Sequence, residues 1–143
     1  MTRFIAVLLL MLLAAGAASA QQSRTATVYK SPLCGCCGEY VKMLRQNGYQ
    51  VTVIDAEDHS AIKRRYGISS TLESCHTTVV GGYAVEGHVP LKVIERLLAE
   101  KPPIRGISLP GMPDGSPGMS GRKTEPFVIF EIGAGRPKVY DID

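Results

Sequence analysis

Three of the chain's four cysteines, Cys34, Cys36 and Cys37, lie within four residues of one another. The fourth, Cys75, stands directly before His76. A thiolate is a strong nucleophile, a reversible electron store and a soft metal ligand, and a neutral imidazole binds many transition metals. These five side chains are therefore the candidates for thiol redox chemistry or for binding a soft metal ion.

Cys34 and Cys37 have the C-x-x-C spacing of thiol–disulfide oxidoreductases. They follow a strand-like segment, 25–30, and open a helical segment that ends near residue 46. At such a junction the first sulfur lies at the helix N-terminus, where free N–H groups and the helix dipole stabilise a thiolate. The pair therefore predicts a dithiol–disulfide couple, with Cys34 as the attacking thiolate and Cys37 as the resolving thiol.

Cys36 adds a third thiol, which an ordinary oxidoreductase of this kind does not need. Successive helical residues point about 100° apart, so Cys36 and Cys37 are poorly placed to chelate one ion together. They can instead bridge two neighbouring ions, because thiolates share their lone pairs readily with soft monovalent metals. The cluster therefore favours Cu(I) or Ag(I), bound as several ions, over a single tetrahedral Zn²⁺.

Two further segments carry soft donors. In a thioredoxin-type fold the residues just before the third strand lie beside the C-x-x-C motif, and here these residues include Cys75 and His76. The Gly/Pro-rich segment 110–119 has no hydrophobic pattern, and it holds Met112 and Met119, whose thioethers are suitable Cu(I) ligands. We expect this segment to fold back over the cluster and to contribute Met112 or Met119 to it.

The remaining histidines and several other side chains are expected to have structural roles. His88 lies just before a predicted helix, so we expect it at a cap or on the surface, and we expect His59 to face solvent. Met43 is expected to pack within its helix. Tyr40 and Tyr83 are expected to pack through their rings and to keep solvated hydroxyl groups.

Strands and helices alternate along the chain and then end in a hairpin. The predicted elements are strand 25–30, helix 37–46, strand 51–54, helix 57–66, strands 77–80 and 83–86, helix 91–100, and hairpin strands 127–132 and 138–142. This order predicts an α/β fold, a thioredoxin-like mixed sheet flanked by helices. We assign 21–103 to the thioredoxin-like domain and 104–143 to a C-terminal extension, in which a Gly/Pro-rich loop, 104–124, is expected to be irregular.

The first twenty residues have the layout of a secretory signal peptide. Arg3 is followed by an apolar run, 5–13, and by the small residues Ala18 and Ala20 ahead of Gln21. The apolar run is too short for a transmembrane span of about 20 residues, so we expect cleavage near Ala20 and no stable membrane insertion afterwards. The mature chain is then exported, into a compartment where thiols tend towards disulfides.

Composition argues against a nucleic-acid partner. The formal net charge is only +3, and the one basic run, 63–65, has no aromatic residues interleaved with it. Such a triplet is most often a solvated helix face. We therefore expect a monomeric exported protein without nucleic acid, whose partners are metal ions.

Four motifs in order resemble those of the exported copper resistance proteins called CopG, which are distinct from the DNA-binding repressors of that name. The motifs are Cys34-Gly35-Cys36-Cys37, Ser74-Cys75-His76-Thr77, the segment 82–90 (GYAVEGHVP) and the Gly-Met-Pro…Pro-Gly-Met segment. The similarity runs from about Thr27 to Tyr140. Many members of the family carry Trp and His where this chain has Tyr40 and Met43, so this chain lacks a nitrogen ligand at position 43.

The resemblance implies a thioredoxin-like domain with a C-terminal extension, a cysteine-bridged copper site and a periplasmic location. It also implies interconversion of Cu(I) and Cu(II) during copper or silver detoxification. A periplasmic copper efflux system is a further expected partner. Carried over to this sequence, Cys34, Cys36 and Cys37 take the cluster positions, with Cys75 and His76 as the neighbouring pair.

Four alternatives remain open from the sequence. The cysteines could form structural disulfides, with three possible pairings. A metal-free thiol–disulfide oxidoreductase would need only Cys34 and Cys37. A copper chaperone or buffer would bind Cu(I) without changing its valence. A structural zinc site with three cysteines and one histidine would bind one zinc per chain.

Overall fold

The structure is a computed structural model, and it describes residues 24–143. The predicted signal peptide, 1–20, lies outside these residues. The elements in chain order are β1 (Thr25–Lys30), α1 (Gly35–Gln46), β2 (Gln50–Asp55), α2 (Ser60–Tyr66), a 3₁₀ turn (Ser70–Leu72), β3 (His76–Val80), β4 (Tyr83–Glu86), α3 (Leu91–Glu100), β5 (Gly106–Ser108), β6 (Val128–Ile132) and β7 (Val139–Ile142). Within the described part of the chain, no helix has the length and apolar content required to cross a membrane.

The strands form one seven-stranded mixed sheet in the order β2-β1-β3-β4-β5-β6-β7. The β1–β2 and β4–β5 pairs are parallel, and the other neighbouring pairs are antiparallel. The predicted α/β mixed sheet is therefore confirmed, and the order of the first four strands is compatible with a thioredoxin-like arrangement. Because β1 and β3 are antiparallel, the end of β1 lies beside the start of β3, and Lys30 is paired with His76.

The segment after α3 differs from its prediction. Residues 104–124 were expected to be irregular, but β5 lies within them and pairs with β4. A strand of three residues is too short to show an alternating pattern in the sequence. Its pairing depends on Gly106, because a Cβ atom there would overlap the backbone of Ala84. The C-terminal hairpin therefore continues the same sheet, through β5.

Each of the two long helices packs against the sheet through an apolar stripe of its own. Helix α1 buries Tyr40, Val41 and Leu44, and α3 buries Val93, Ile94 and Leu97 at helical spacing. These side chains share a core with Val28 of β1 and Ile107 of β5, and Met43 packs against its edge as predicted. Burying a side chain of this size contributes roughly 1.5–3 kcal/mol, so the start of α1 is fixed against the sheet.

Candidate metal centre

Fold topology brings the two cysteine segments together at one edge of the sheet. Cys34 is the N-cap of α1, directly after the turn that follows β1, and Cys75 precedes the first residue of β3. The antiparallel pairing of β1 with β3 places both segments at the same edge. The four cysteine sulfur atoms consequently lie within 4.8 Å of one another. Their predicted convergence is therefore present in the structure.

The four sulfurs are not equivalent. Cys34 and Cys37 form a disulfide, with their Cα atoms 5.3 Å apart, whereas Cys36 and Cys75 are free thiols. The sulfur of Cys36 lies 3.5 Å from that of Cys34, and the sulfur of Cys75 lies 3.5 Å from that of Cys37. Each free thiol thus contacts one half of the disulfide. Reduction of this bond would leave four thiols around one point.

His76 and His88 add two nitrogen donors on the inner side of the sulfurs. The Cys75 sulfur lies 3.0 Å from Nε2 of His88 and 3.4 Å from Nδ1 of His76. Both imidazoles are fully buried. The residues Cys37, Cys75, His76 and His88 form a second group whose ligand atoms all lie within 4.8 Å of one another. Cys37 and Cys75 therefore belong to both groups.

The expectation that His88 lies at a cap or on the surface is wrong. His88 is buried at 0% exposure, and Pro90, not His88, is the N-cap of α3. The strand register explains its position, because β3 and β4 are antiparallel and Glu86 is paired with Thr77. Two residues beyond Glu86 the chain lies beside Cys75. This register is the signal in the sequence that could have identified His88.

Burial keeps both imidazoles neutral, as a metal ligand must be. Burial, with smaller effects from the neighbouring His88 and Lys63, lowers the pKa of His76 to about 3. Burial also lowers the pKa of His88, although a hydrogen bond to the carbonyl of Pro117 opposes this shift. At neutral pH each ring therefore keeps one nitrogen lone pair.

The orientation of His88 is fixed by its other nitrogen. Nδ1–H donates to the carbonyl oxygen of Pro117 at 2.7 Å, so Nε2 is left as the acceptor facing Cys75. A hydrogen bond of this kind is typical of metal-binding histidines, because it fixes the tautomer and the ring orientation. Nε2 of His76 is buried without a hydrogen-bond partner among the described residues. The other ring nitrogen of His76, Nδ1, faces the sulfur of Cys75 and is the atom placed to reach an ion.

The thiol of Cys75 is protonated at neutral pH. Burial is the main cause that raises its pKa to about 11, a hydrogen bond from Ser74 opposes this shift, and the nearby Cys36 adds to it. A metal ion that binds Cys75 must displace this proton, so binding releases protons. In the metal-free state Cys75 is thus a poor nucleophile, and it becomes a metal ligand only when it loses its proton.

Tyr40 forms an apolar wall behind the histidines. Its ring centroid lies 4.6 Å from that of His76 and 5.5 Å from that of His88. Its hydroxyl group was predicted to be solvated, but it is buried and donates to the carbonyl of Val89 at 2.8 Å. Burial raises the pKa of Tyr40 far above its ordinary value, so the phenol stays neutral. The hydroxyl of Tyr83 likewise donates to a backbone carbonyl.

The Gly/Pro-rich segment 110–119 is fastened to the centre at both ends. At one end the N–H of Gly111 donates to the backbone carbonyl of Glu73 at 3.0 Å, and the carbonyl of Gly111 accepts from the Ser74 hydroxyl group. At the other end Pro117 accepts from His88, and Gly118 packs against α1, where a Cβ atom would lie 2.7 Å from the Cys36 carbonyl. The segment therefore does fold back onto the cysteine cluster. Met112 is 53% exposed and Met119 is half-buried.

Comparisons with known proteins identify a family model and solved structures that are similar to this chain. Residues 72–119 match a family model described as a protein of unknown function, DUF411. Two solved structures, "Copper resistance protein copG- Form 1" and "Form 2", superimpose with TM-scores of 0.77 and 0.75 at 36% and 37% identity. The matches cover 85% and 83% of this chain, and 98% and 97% of the solved chains. No curated protein sequence matches the chain.

Fold and site together define an α/β protein with a cysteine–histidine cluster of metal-ligand geometry. At the identity and coverage of these matches, the chain belongs to the CopG family of copper resistance proteins. Membership and the ligand cluster indicate a copper-related function. The motif resemblance found in the sequence is thus confirmed.

Proposed function

We propose that this protein binds Cu(I) in the periplasm as part of copper resistance, and that it interconverts Cu(I) and Cu(II). The observation that carries the proposal is the pair of overlapping ligand groups that share Cys37 and Cys75. One group consists of four sulfurs, and the other combines two sulfurs with two imidazoles. Thiolates select Cu(I), whereas imidazole also suits Cu(II).

The proposed ligands are Cys34, Cys36, Cys37 and Cys75 for a cluster of Cu(I) ions, with His76 and His88 on its buried side. Met112 or Met119 would complete the cluster from the overlying segment. Ag(I) shares the preference of Cu(I) for soft donors, so the same site would accept silver. The bound ions are the cargo, passed on to a periplasmic efflux system.

The proposed redox step uses the Cys34–Cys37 pair, which is oxidised in this structure. When the pair is reduced, it can give one electron to each of two Cu(II) ions. The products are two Cu(I) ions, the Cys34–Cys37 disulfide and two protons. An external thiol reductant would then restore the dithiol by disulfide exchange. This scheme requires both valences to be held beside the same two sulfurs.

Anaerobic titration of the thiol-reduced protein with Cu(II) tests the proposal. We expect the Cu(II) electron paramagnetic resonance signal to disappear as one Cys34–Cys37 disulfide forms for every two copper ions. In a separate sample, with all four cysteines reduced and Cu(I) added directly, X-ray absorption should show Cu(I) in a sulfur-rich environment, and elemental analysis should give more than one copper per chain. One zinc per chain, or copper that stays divalent while the thiols stay reduced, would contradict it.

A metal-free thiol–disulfide oxidoreductase is the second candidate, and the disulfide at the start of α1 favours it. It predicts that metal-free protein reduces or oxidises a protein disulfide using only Cys34 and Cys37. Cys36→Ser and Cys75→Ser would then leave the rate unchanged. A rate that depends on Cys75 would contradict this candidate.

A further inference from the structure

A buried ion pair lies behind the Cys75 segment. The ammonium group of Lys63, in α2, contacts the carboxylate of Glu86, at the end of β4, and their side chains are 10% and 0% exposed. The carboxylate also accepts from the Ser74 N–H at 2.7 Å and from the Thr77 hydroxyl at 2.5 Å. Glu86 therefore contacts the chain on both sides of Cys75 and His76.

Lys63 completes this arrangement from the other side. Its ammonium group donates to the carbonyl oxygen of Ser74 at 2.8 Å. That carbonyl belongs to the peptide bond that joins Ser74 to Cys75. The two members of the ion pair thus bind the N–H and the carbonyl of Ser74, and the backbone that leads into Cys75 is held at both of its polar groups.

The placement of Lys63 was not expected from the sequence. It belongs to the basic run 63–65, which was predicted to be a solvated helix face, yet it is the buried residue of α2. Burying two charges costs several kcal/mol of desolvation, and a buried ion pair is often no better for stability than apolar residues of similar size. Stability alone therefore does not explain the buried pair. Its hydrogen bonds to the backbone of Ser74 point to a role in holding that backbone.

We infer that Lys63 and Glu86 are positioning residues that fix the sulfur of Cys75 relative to Cys37 and His88. The inference deepens the proposed function and rests on it. A site binds tightly when its ligands are held in place before the ion arrives, by packing and by hydrogen bonds to their supporting residues. Without the pair, the segment 73–76 would keep its residues but lose the hydrogen bonds that orient Cys75.

The test is the double variant Lys63→Met and Glu86→Leu, which removes both charges together and leaves no unpaired buried ion. In metal-free protein with the disulfide intact, iodoacetamide labelling followed by mass spectrometry gives the alkylation rate of Cys75 relative to Cys36. We expect this ratio to rise about tenfold, because a loosened segment exposes the partly buried sulfur of Cys75 to the reagent. Cu(I) affinity, measured against a chromophoric chelator, should fall about tenfold.

The control is Arg96→Met, which removes an ion pair with Asp141 that contacts no candidate ligand. This variant should leave both the labelling ratio and the copper affinity unchanged. Should the double variant not fold, Lys63→Met combined with Glu86→Gln decides, since it frees the Ser74 carbonyl, keeps an acceptor for the Ser74 N–H and leaves no unpaired buried charge. A folded variant with the wild-type labelling ratio overturns the inference. Wild-type protein that binds no Cu(I) refutes the proposed function instead, and the labelling ratio still decides the positioning role.

Discussion

The centre has two sides that differ in exposure and in chemistry. The helix side, made of Cys34, Cys36 and Cys37, carries only sulfur, and Cys34 and Cys36 are partly exposed. The sheet side, made of Cys75, His76 and His88, buries both imidazoles. A thiol pair that exchanges electrons with other molecules must be accessible, whereas a metal site gains from burial and fixed ligands. The difference suggests a division of work between electron exchange and metal binding.

Loss of Cys75 should have the largest effect on this comparison, because Cys75 joins the two sides. Its sulfur lies 3.5 Å from Cys37 and 3.0 Å from His88. We expect Cys75→Ser to lower the Cu(I) affinity about 100-fold, by removal of a soft ligand common to both groups. Competition with a chromophoric Cu(I) chelator measures this change. An affinity loss of less than threefold would mean that the two sides act separately.

Acid should weaken the sheet side more than the helix side. Because burial lowers the pKa of His76 to about 3, from about 6.5 in the unfolded chain, the unfolded state binds more protons between these pH values. Stability from the buried neutral ring is therefore complete above pH 6.5 and is lost as the pH falls towards 3. We expect the free energy of unfolding of metal-free protein to drop by about 2 kcal/mol between pH 7 and pH 5.

Denaturant unfolding at a series of pH values checks this expectation, with His76→Asn as the informative variant. The slope against pH should become shallower in His76→Asn and should remain in His59→Asn, since His59 lies outside both ligand groups. A slope that is unchanged in His76→Asn would assign the acid sensitivity to other groups, such as the carboxylates.

Removal of His88 tests whether the two sides differ in the type of ligand that they offer. Removing its imidazole should lower the Cu(I) affinity by about tenfold, less than loss of Cys75, because sulfur provides most of the Cu(I) ligands. The larger relative effect should fall on Cu(II), which prefers nitrogen to thioether donors. Parallel titrations of His88→Ala and of the matched control His59→Ala with each valence, with the Cys34–Cys37 disulfide intact so that the pair does not reduce Cu(II), measure the split. Equal losses for Cu(I) and Cu(II) in His88→Ala would argue against a role for His88 in holding the oxidised ion.

Much of the fold and half of the site follow from local patterns. The helices and long strands have clear periodicity, and the C-x-x-C motif with Cys75 and His76 indicated the helix side and part of the sheet side. His88 was missed because its position follows from the pairing of β3 with β4 across their hairpin and not from the pattern of its own neighbours. Lys63 was missed for a similar reason, since its partner Glu86 is 23 residues away. Strand β5 was missed because three residues carry no period.

The Gly/Pro-rich segment 110–119 offers the test with the smallest expected effect. Gly118 has φ +84°, and a Cβ atom there would lie 2.7 Å from the Cys36 carbonyl and 2.8 Å from the Tyr40 nitrogen. Gly111 also has a positive φ, +70°, but nothing lies within 4 Å of its Cβ position. Both Ala variants incur the backbone cost of about 1–2 kcal/mol, and only Gly118→Ala also displaces the segment from α1.

We therefore expect the free energy of unfolding of Gly118→Ala to be about 1 kcal/mol lower than that of Gly111→Ala, because a close contact in a packed region costs about that much or more. Displacing the segment should also break the hydrogen bond from His88 to Pro117, so the Cu(II) affinity of Gly118→Ala should fall below that of Gly111→Ala. Denaturant unfolding and copper titration of the two variants give both differences. If the two variants match in both measurements, the segment covers the helix side without orienting the sheet side.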